Sequence, residues 1–118
     1  MPALADPSKI VGYHAHIYCD VAATKDRAIW LRDQVAAHFP DVKIGRWHDE
    51  LVGPHPQSNF QIAFPAKTMP SFMPWLMLNR DGLTILLHPE TGDDYSDHAT
   101  HAVWFCEKLP LNLEMLRQ

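Results

Sequence analysis

The clearest alternation in the chain runs over residues 12–20. Tyr13, Ala15, Ile17 and Cys19 fall on one side of an extended segment, and His14, His16 and Tyr18 on the other. A period of two marks a strand with one apolar face; here the opposite face carries imidazoles and a phenol. A helical period follows, with Ala28, Leu31, Val35, Ala36 and Phe39 on one side and Lys25, Arg32, Asp33 and Gln34 elsewhere. Thr24 is placed to cap this helix and Pro40 to stop it. Residues 42–47 predict a second short strand and 52–58 a loop with two prolines. Phe60, Ile62 and Phe64 give a third strand, closed by Pro65.

Ser71 is the expected cap of a second helix, because Pro74 then falls in its first turn, where a missing N–H costs little. Phe72, Trp75, Leu76 and Asn79 lie along it, and Asp81-Gly82 ends it. Residues 83–88, rich in Leu and Ile, predict a fourth strand. The order β-α-β-β-α-β is that of an α+β, ferredoxin-like domain: an antiparallel sheet with both helices on one face. Residues 99–106 could add an edge strand. Residues 1–118 read as one domain, with 1–11 an irregular lead-in and 107–118 a tail, of which 109–118 suits a short amphipathic helix.

Composition narrows the function classes. With 118 residues, 47% hydrophobic and 20% charged, the chain is an ordinary globular domain able to bury a core unaided. A net charge of -4 without a Lys/Arg cluster argues against nucleic-acid binding. No apolar stretch approaches the roughly 20 residues of a membrane helix, and no secretory pattern opens the sequence, so a cytoplasmic protein is expected. Cys19 and Cys106 both read as buried free thiols in a reducing compartment. No Gly-rich phosphate loop, GxSxG or HExxH motif is present.

Histidine changes the picture most. There are eight, and most sit in short ordered contexts: His14 and His16 in an HxH pair, His55 between Pro54 and Pro56, His88 before Pro89, and His98 after Asp97. His38 and His48 lack such a context and read as solvated surface groups. On a ferredoxin-like sheet the HxH pair shares the open face, and antiparallel pairing brings His88 beside it. His14, His16 and His88 thus form a convergent trio suited to a metal site with open positions. His55 is either a ligand or acid/base group or a rigid turn residue. His98 is either a base oriented by Asp97 or a solvated loop histidine. Tyr18 is a candidate substrate contact on the same face. Arg46 could pair with a substrate carboxylate, or be an exposed strand-end arginine. Trp47, Trp75 and Trp104 read as core before substrate platform, and Cys19 as an apolar filler.

Taken in order, Tyr13-His14-Ala15-His16-Ile17-Tyr18, Gly53-Pro54-His55-Pro56, Trp75-Leu76 with Asn79-Arg80, Leu86-Leu87-His88-Pro89-Glu90-Thr91-Gly92-Asp93, then Asp97-His98 and Trp104 resemble the DOPA 4,5-dioxygenase family of small fungal and bacterial proteins. The resemblance runs from about Tyr13 to Trp104. It implies a ferredoxin-like homodimer that uses non-haem iron(II) and O2 to open a catechol, such as DOPA or a related catecholic acid, by extradiol cleavage. It also points to His14, His16, His55, His88 and His98 as the functional histidines. One departure is Trp104-Phe105-Cys106, where a small residue, often glycine, is expected soon after the tryptophan.

The same imidazoles would bind iron, zinc or manganese. A carboxylate ligand from Asp93, Asp94 or Asp97 and an all-histidine site are both compatible with the sequence. Two other readings share the fold. A metal- or small-ligand-binding module without redox chemistry would not need His55 and His98 near the metal. A cofactor-free monooxygenase would need an aromatic-lined cavity, and a three-histidine cluster counts against it. Apolar surface on the open sheet face would need cover, for which a second subunit is the simplest source.

Overall fold

The structure, a computed structural model, describes residues 2–51 and 53–117. Met1, Val52 and Gln118, the ends of the predicted lead-in, loop and tail, lie outside the described residues. The elements are β1 (Gly12–Cys19), α1 (Lys25–His38), β2 (Lys43–His48), β3 (Ser58–Pro65), α2 (Met69–Asn79), β4 (Ile85–Glu90), α3 (Asp94–His98) and β5 (Val103–Phe105). One antiparallel sheet has the order β2-β3-β1-β4-β5, so the expected ferredoxin-like core is present with a short added edge strand.

The core lies between the sheet and its two main helices. Ala15, Ile17 and Cys19 of β1 pack with Phe60, Ile62 and Phe64 of β3 and Ile85 and Leu87 of β4. Against them lie Ala28, Leu31 and Val35 of α1 and Phe72 and Leu76 of α2. The burial alternates with the strand period, so the polar residues of β1 are driven to the opposite face. There Tyr18 and Leu86 are buried by Leu109, with Ala102, Trp104 and Leu111 packed around them. The chain's own segment after β5 therefore covers this part of the open face.

Several local expectations are corrected. Thr24 precedes α1, but its Oγ1 accepts from the Asp20 N–H at 2.8 Å and makes no capping bond to the helix. Helix α2 begins at Met69 and not after Ser71, continuing a 3-10 turn over Ala66–Thr68. Pro70 then takes the first turn, and Pro74 lies inside the helix on an exposed position, where the carbonyl it leaves free can be solvated. Asp81 and Gly82 end the helix as expected, both with positive φ (55° and 72°). Residues 94–98 form a helix that the sequence pattern did not suggest. Asp93 caps it, accepting from the Ser96 N–H at 3.1 Å. The tail forms a 3-10 turn over Leu113–Leu116 in place of an amphipathic helix. Cys19 is buried, but Cys106 is exposed, at a φ of 75° just after β5.

Candidate metal centre

Strand register builds the centre. His14 on β1 lies directly opposite His88 on β4, and His16 follows two residues on, on the same face. The rings of His16 and His88 stack with centroids 5.1 Å apart, and their Nε2 atoms approach to 3.0 Å. Helix α3 delivers His98, whose ring centroid is 4.0 Å from that of His88. The loop before β3 delivers His55, 4.2 Å from His16 by the same measure. Five imidazoles from four segments thus converge. His14, His16 and His88 form one set of close ligand atoms, and His16, His55 and His98 a second, with His16 common to both. The three histidines expected as ligands and the two expected as acid/base groups are all brought together.

The structure places the remaining candidates differently. Tyr18 borders the cluster: its hydroxyl lies 2.5 Å from His55 Nδ1, and its ring stacks on Trp104. Trp104 therefore belongs to the functional face, while Trp47 and Trp75 pack against the helix-side core. Arg46 is exposed where β2 shifts register between Ile44 and Trp47, with β3 between it and β1. His38 and His48 lie outside the cluster; His38 Nδ1 bonds the Gln34 carbonyl within α1.

Partners select the nitrogen that carries a proton in several of the rings. His88 Nδ1 lies 3.0 Å from the Pro89 carbonyl, which can only accept, so that nitrogen carries the proton and Nε2 is left with a lone pair. His98 is held likewise, with Nδ1 donating to the Asp94 carbonyl at 2.8 Å. Asp97 does not orient it: that carboxylate is fully buried and accepts from the Thr91 N–H at 2.9 Å and Thr91 Oγ1 at 2.6 Å. Asp93 is committed to capping α3. The carboxylate that does meet the cluster is Glu90, 3.1 Å from His14 Nδ1 and 3.5 Å from His88 Nδ1. The sequence signal for it was its position two residues after His88, which puts both on one face if β4 runs past Pro89. Pro89 sits beyond the last β4–β5 pair, Leu87 with Val103, so its missing N–H breaks no ladder on that side.

Burial disfavours charge on four of the five rings. Desolvation lowers the His55 and His88 pKa values to about 4, with the nearby His98 adding to each shift. His16 is held well below the usual imidazole value by desolvation and then by His55, His88, His98 and His14. His14 is lowered by desolvation and then His98. Desolvation pushes the Tyr18 phenol up, so it stays protonated and donates to His55 Nδ1, leaving the proton of neutral His55 on Nε2. Glu90 is raised by its own desolvation and then by Asp97 and Asp94.

This donor set fits a metal cation. His16 Nδ1 is buried without a hydrogen-bond partner, and His16 and His88 meet through nitrogens that offer one proton between them. Clustered neutral imidazoles, with Nδ1 of His14 and His88 facing a carboxylate or carbonyl, are the arrangement in which outer partners orient ligating rings.

The profile of the Dopa 4,5-dioxygenase family matches residues 13–115. The chain belongs to that family. It is 35% identical over 116 residues to the DOPA 4,5-dioxygenase of Amanita muscaria, covering 92% of this chain and 51% of that one. It is 32% identical over 117 residues to an uncharacterized 21.2 kDa protein of Botryotinia fuckeliana, 90% of this chain and 63% of that one. The chain thus spans less than two thirds of the length of either fungal relative. A crystal structure from Nostoc punctiforme, described as a "putative dioxygenase", superposes with a TM-score of 0.92 at 47% identity, covering 96% of each chain. No helix among the described residues is long and apolar enough to cross a membrane.

Proposed function

We propose that this family member is a non-haem iron(II) dioxygenase that opens a catechol ring by extradiol cleavage. The observation that carries the proposal is the convergence of His55 and His98 on the His14, His16 and His88 trio. A module that only holds a metal has use for the trio alone; a ring-opening enzyme also needs groups beside it that take and give protons.

In this reading His14, His16 and His88 hold the metal, oriented by Glu90 and the Pro89 carbonyl. Ferrous iron there would supply Lewis acidity and a common template for the two catechol oxygens and dioxygen. The other two histidines divide the proton work by tautomer. His98 has its Nδ1 proton committed to the Asp94 carbonyl, so in the neutral ring Nε2 is the atom that can accept a phenolic proton. The same carbonyl then stabilises the imidazolium. His55 is the complement, because Tyr18 occupies its Nδ1 and Nε2 presents an N–H to an oxygen that gains charge. Tyr18 and Trp104 form an apolar wall that keeps water from this side.

The test is anaerobic loading with ferrous iron, measurement of bound iron, then admission of air with DOPA, caffeate or protocatechuate. A yellow semialdehyde is expected from wild type, and His16→Ala should lose both iron and product. Wild-type protein that holds one iron per chain and leaves every catechol intact would overturn the proposal.

A further inference from the structure

A cavity of about 410 Å³ has His98 as one of its walls. Trp104, Leu109 and Leu111 line it with apolar surface, and Thr100 and Lys108 add polar groups. Its size suits a small aromatic molecule. Lys108 is the one Lys or Arg among its lining residues.

Lys108 is exposed, and its charge is available to a ligand. Its ammonium makes no hydrogen bond or ion pair among the described residues, although Glu107 precedes it and Glu114 follows; Glu114 pairs with Arg117 instead. Its backbone is also held in place. Leu109 is buried against Tyr18 and Leu86, and Pro110 restricts Leu109 to extended conformations. Further on, the Asn112 N–H donates to the Pro54 carbonyl at 2.9 Å, fastening this segment to the loop that carries His55. An uncommitted cation on a held stretch of backbone thus borders a cavity whose wall includes a candidate base.

We infer that Lys108 binds the carboxylate of a catechol acid whose ring lies between Trp104, Leu109 and His98. The inference rests on the catechol reading above and narrows it to substrates with an anionic side chain. In a chain of net charge -4, a local cation is what would let an anion approach this cavity. It assigns to Lys108 a carboxylate contact for which Arg46, on the far edge of the sheet, was one of two readings.

Iron-loaded protein under nitrogen, where no turnover occurs, separates this inference from ring cleavage. Binding of dihydrocaffeate and of 4-methylcatechol is measured by calorimetry. Wild type should prefer dihydrocaffeate. Lys108→Met should weaken dihydrocaffeate about tenfold, as loss of a partly exposed charge-assisted bond implies, and leave 4-methylcatechol within about twofold. Lys108→Arg should restore most of the preference. A wild type without preference between the two, or a Lys108→Met variant that weakens both equally or neither, overturns the inference. If air then produces no ring opening although the preference and its Lys108 dependence hold, the catalytic proposal fails and the carboxylate site stands.

Discussion

The two faces of strand β1 are built on different principles. On the helix side, Ala15, Ile17 and Cys19 meet apolar partners from β3, β4, α1 and α2, so each contact is interchangeable in kind. On the other side, His14, His16 and Tyr18 each face particular atoms: Glu90, the His88 ring and His55 Nδ1. The first face gains free energy from area removed from water, which needs volume and little orientation. The second buries polar nitrogens, which costs free energy unless each finds a partner, and one His16 nitrogen does not. Neighbouring residues on a single strand thus divide stability from chemistry.

The contrast can be broken most forcefully by exchanging what each face loses. Ile17→Ala should cost about 2–5 kcal/mol of folding free energy, read by denaturant titration, while the folded fraction still binds metal. His16→Ala should cost far less stability in metal-free protein, because it removes a buried unpaired nitrogen, yet should abolish metal retention on dialysis. Equal destabilisation by the two would show that the histidine face carries the fold as well.

A pH titration of the metal-free protein addresses the same division more gently. His55 and His88 are neutral in the folded state down to about pH 4, whereas in the unfolded chain they gain protons near 6.5. The unfolded state therefore binds more protons across that interval. Stability should be full above about pH 6.5 and fall as pH drops towards 4, by several kcal/mol in total. His16→Ala should remove part of this slope, because His16 is itself held well below the usual value, and replacing His55 and His88 together should remove a larger part. A smaller effect is expected from Glu90→Gln, which keeps the shape but removes the charge beside His14 and His88. Metal affinity should fall about 10- to 100-fold, measured against a competing chelator, with thermal stability of the metal-free protein little changed.

The helix-side face was legible because its information is periodic. Alternation in β1 and β3 and helical spacing in α1 put the core residues where the structure has them, and the HxH pair shared a face for the same reason. His88 followed from topology alone. What stayed hidden depended on contacts between segments or on short signals. Helix α3 has five residues and no apolar period; its start is marked only by Asp93 and Ser96, in a run of acidic residues that also suggests metal ligands. Glu90 was obscured by Pro89, which reads as the end of a strand unless one knows that β5 stops pairing before it. Asp97 stands beside His98 in sequence, yet its side chain turns to Thr91, a choice made by burial and not by adjacency.

The bond from the Asn112 amide to the Pro54 carbonyl has a use beyond fastening. It joins a residue near one end of the chain to the turn that presents His55, so this amide hydrogen is shielded only while the turn is seated. Its exchange with deuterium is then a clock for loop opening, separable from global unfolding because core amides of β1 exchange on the slower scale of the whole domain. One nitrogen outside the histidine cluster can in this way report, without substrate, how often the cluster comes apart.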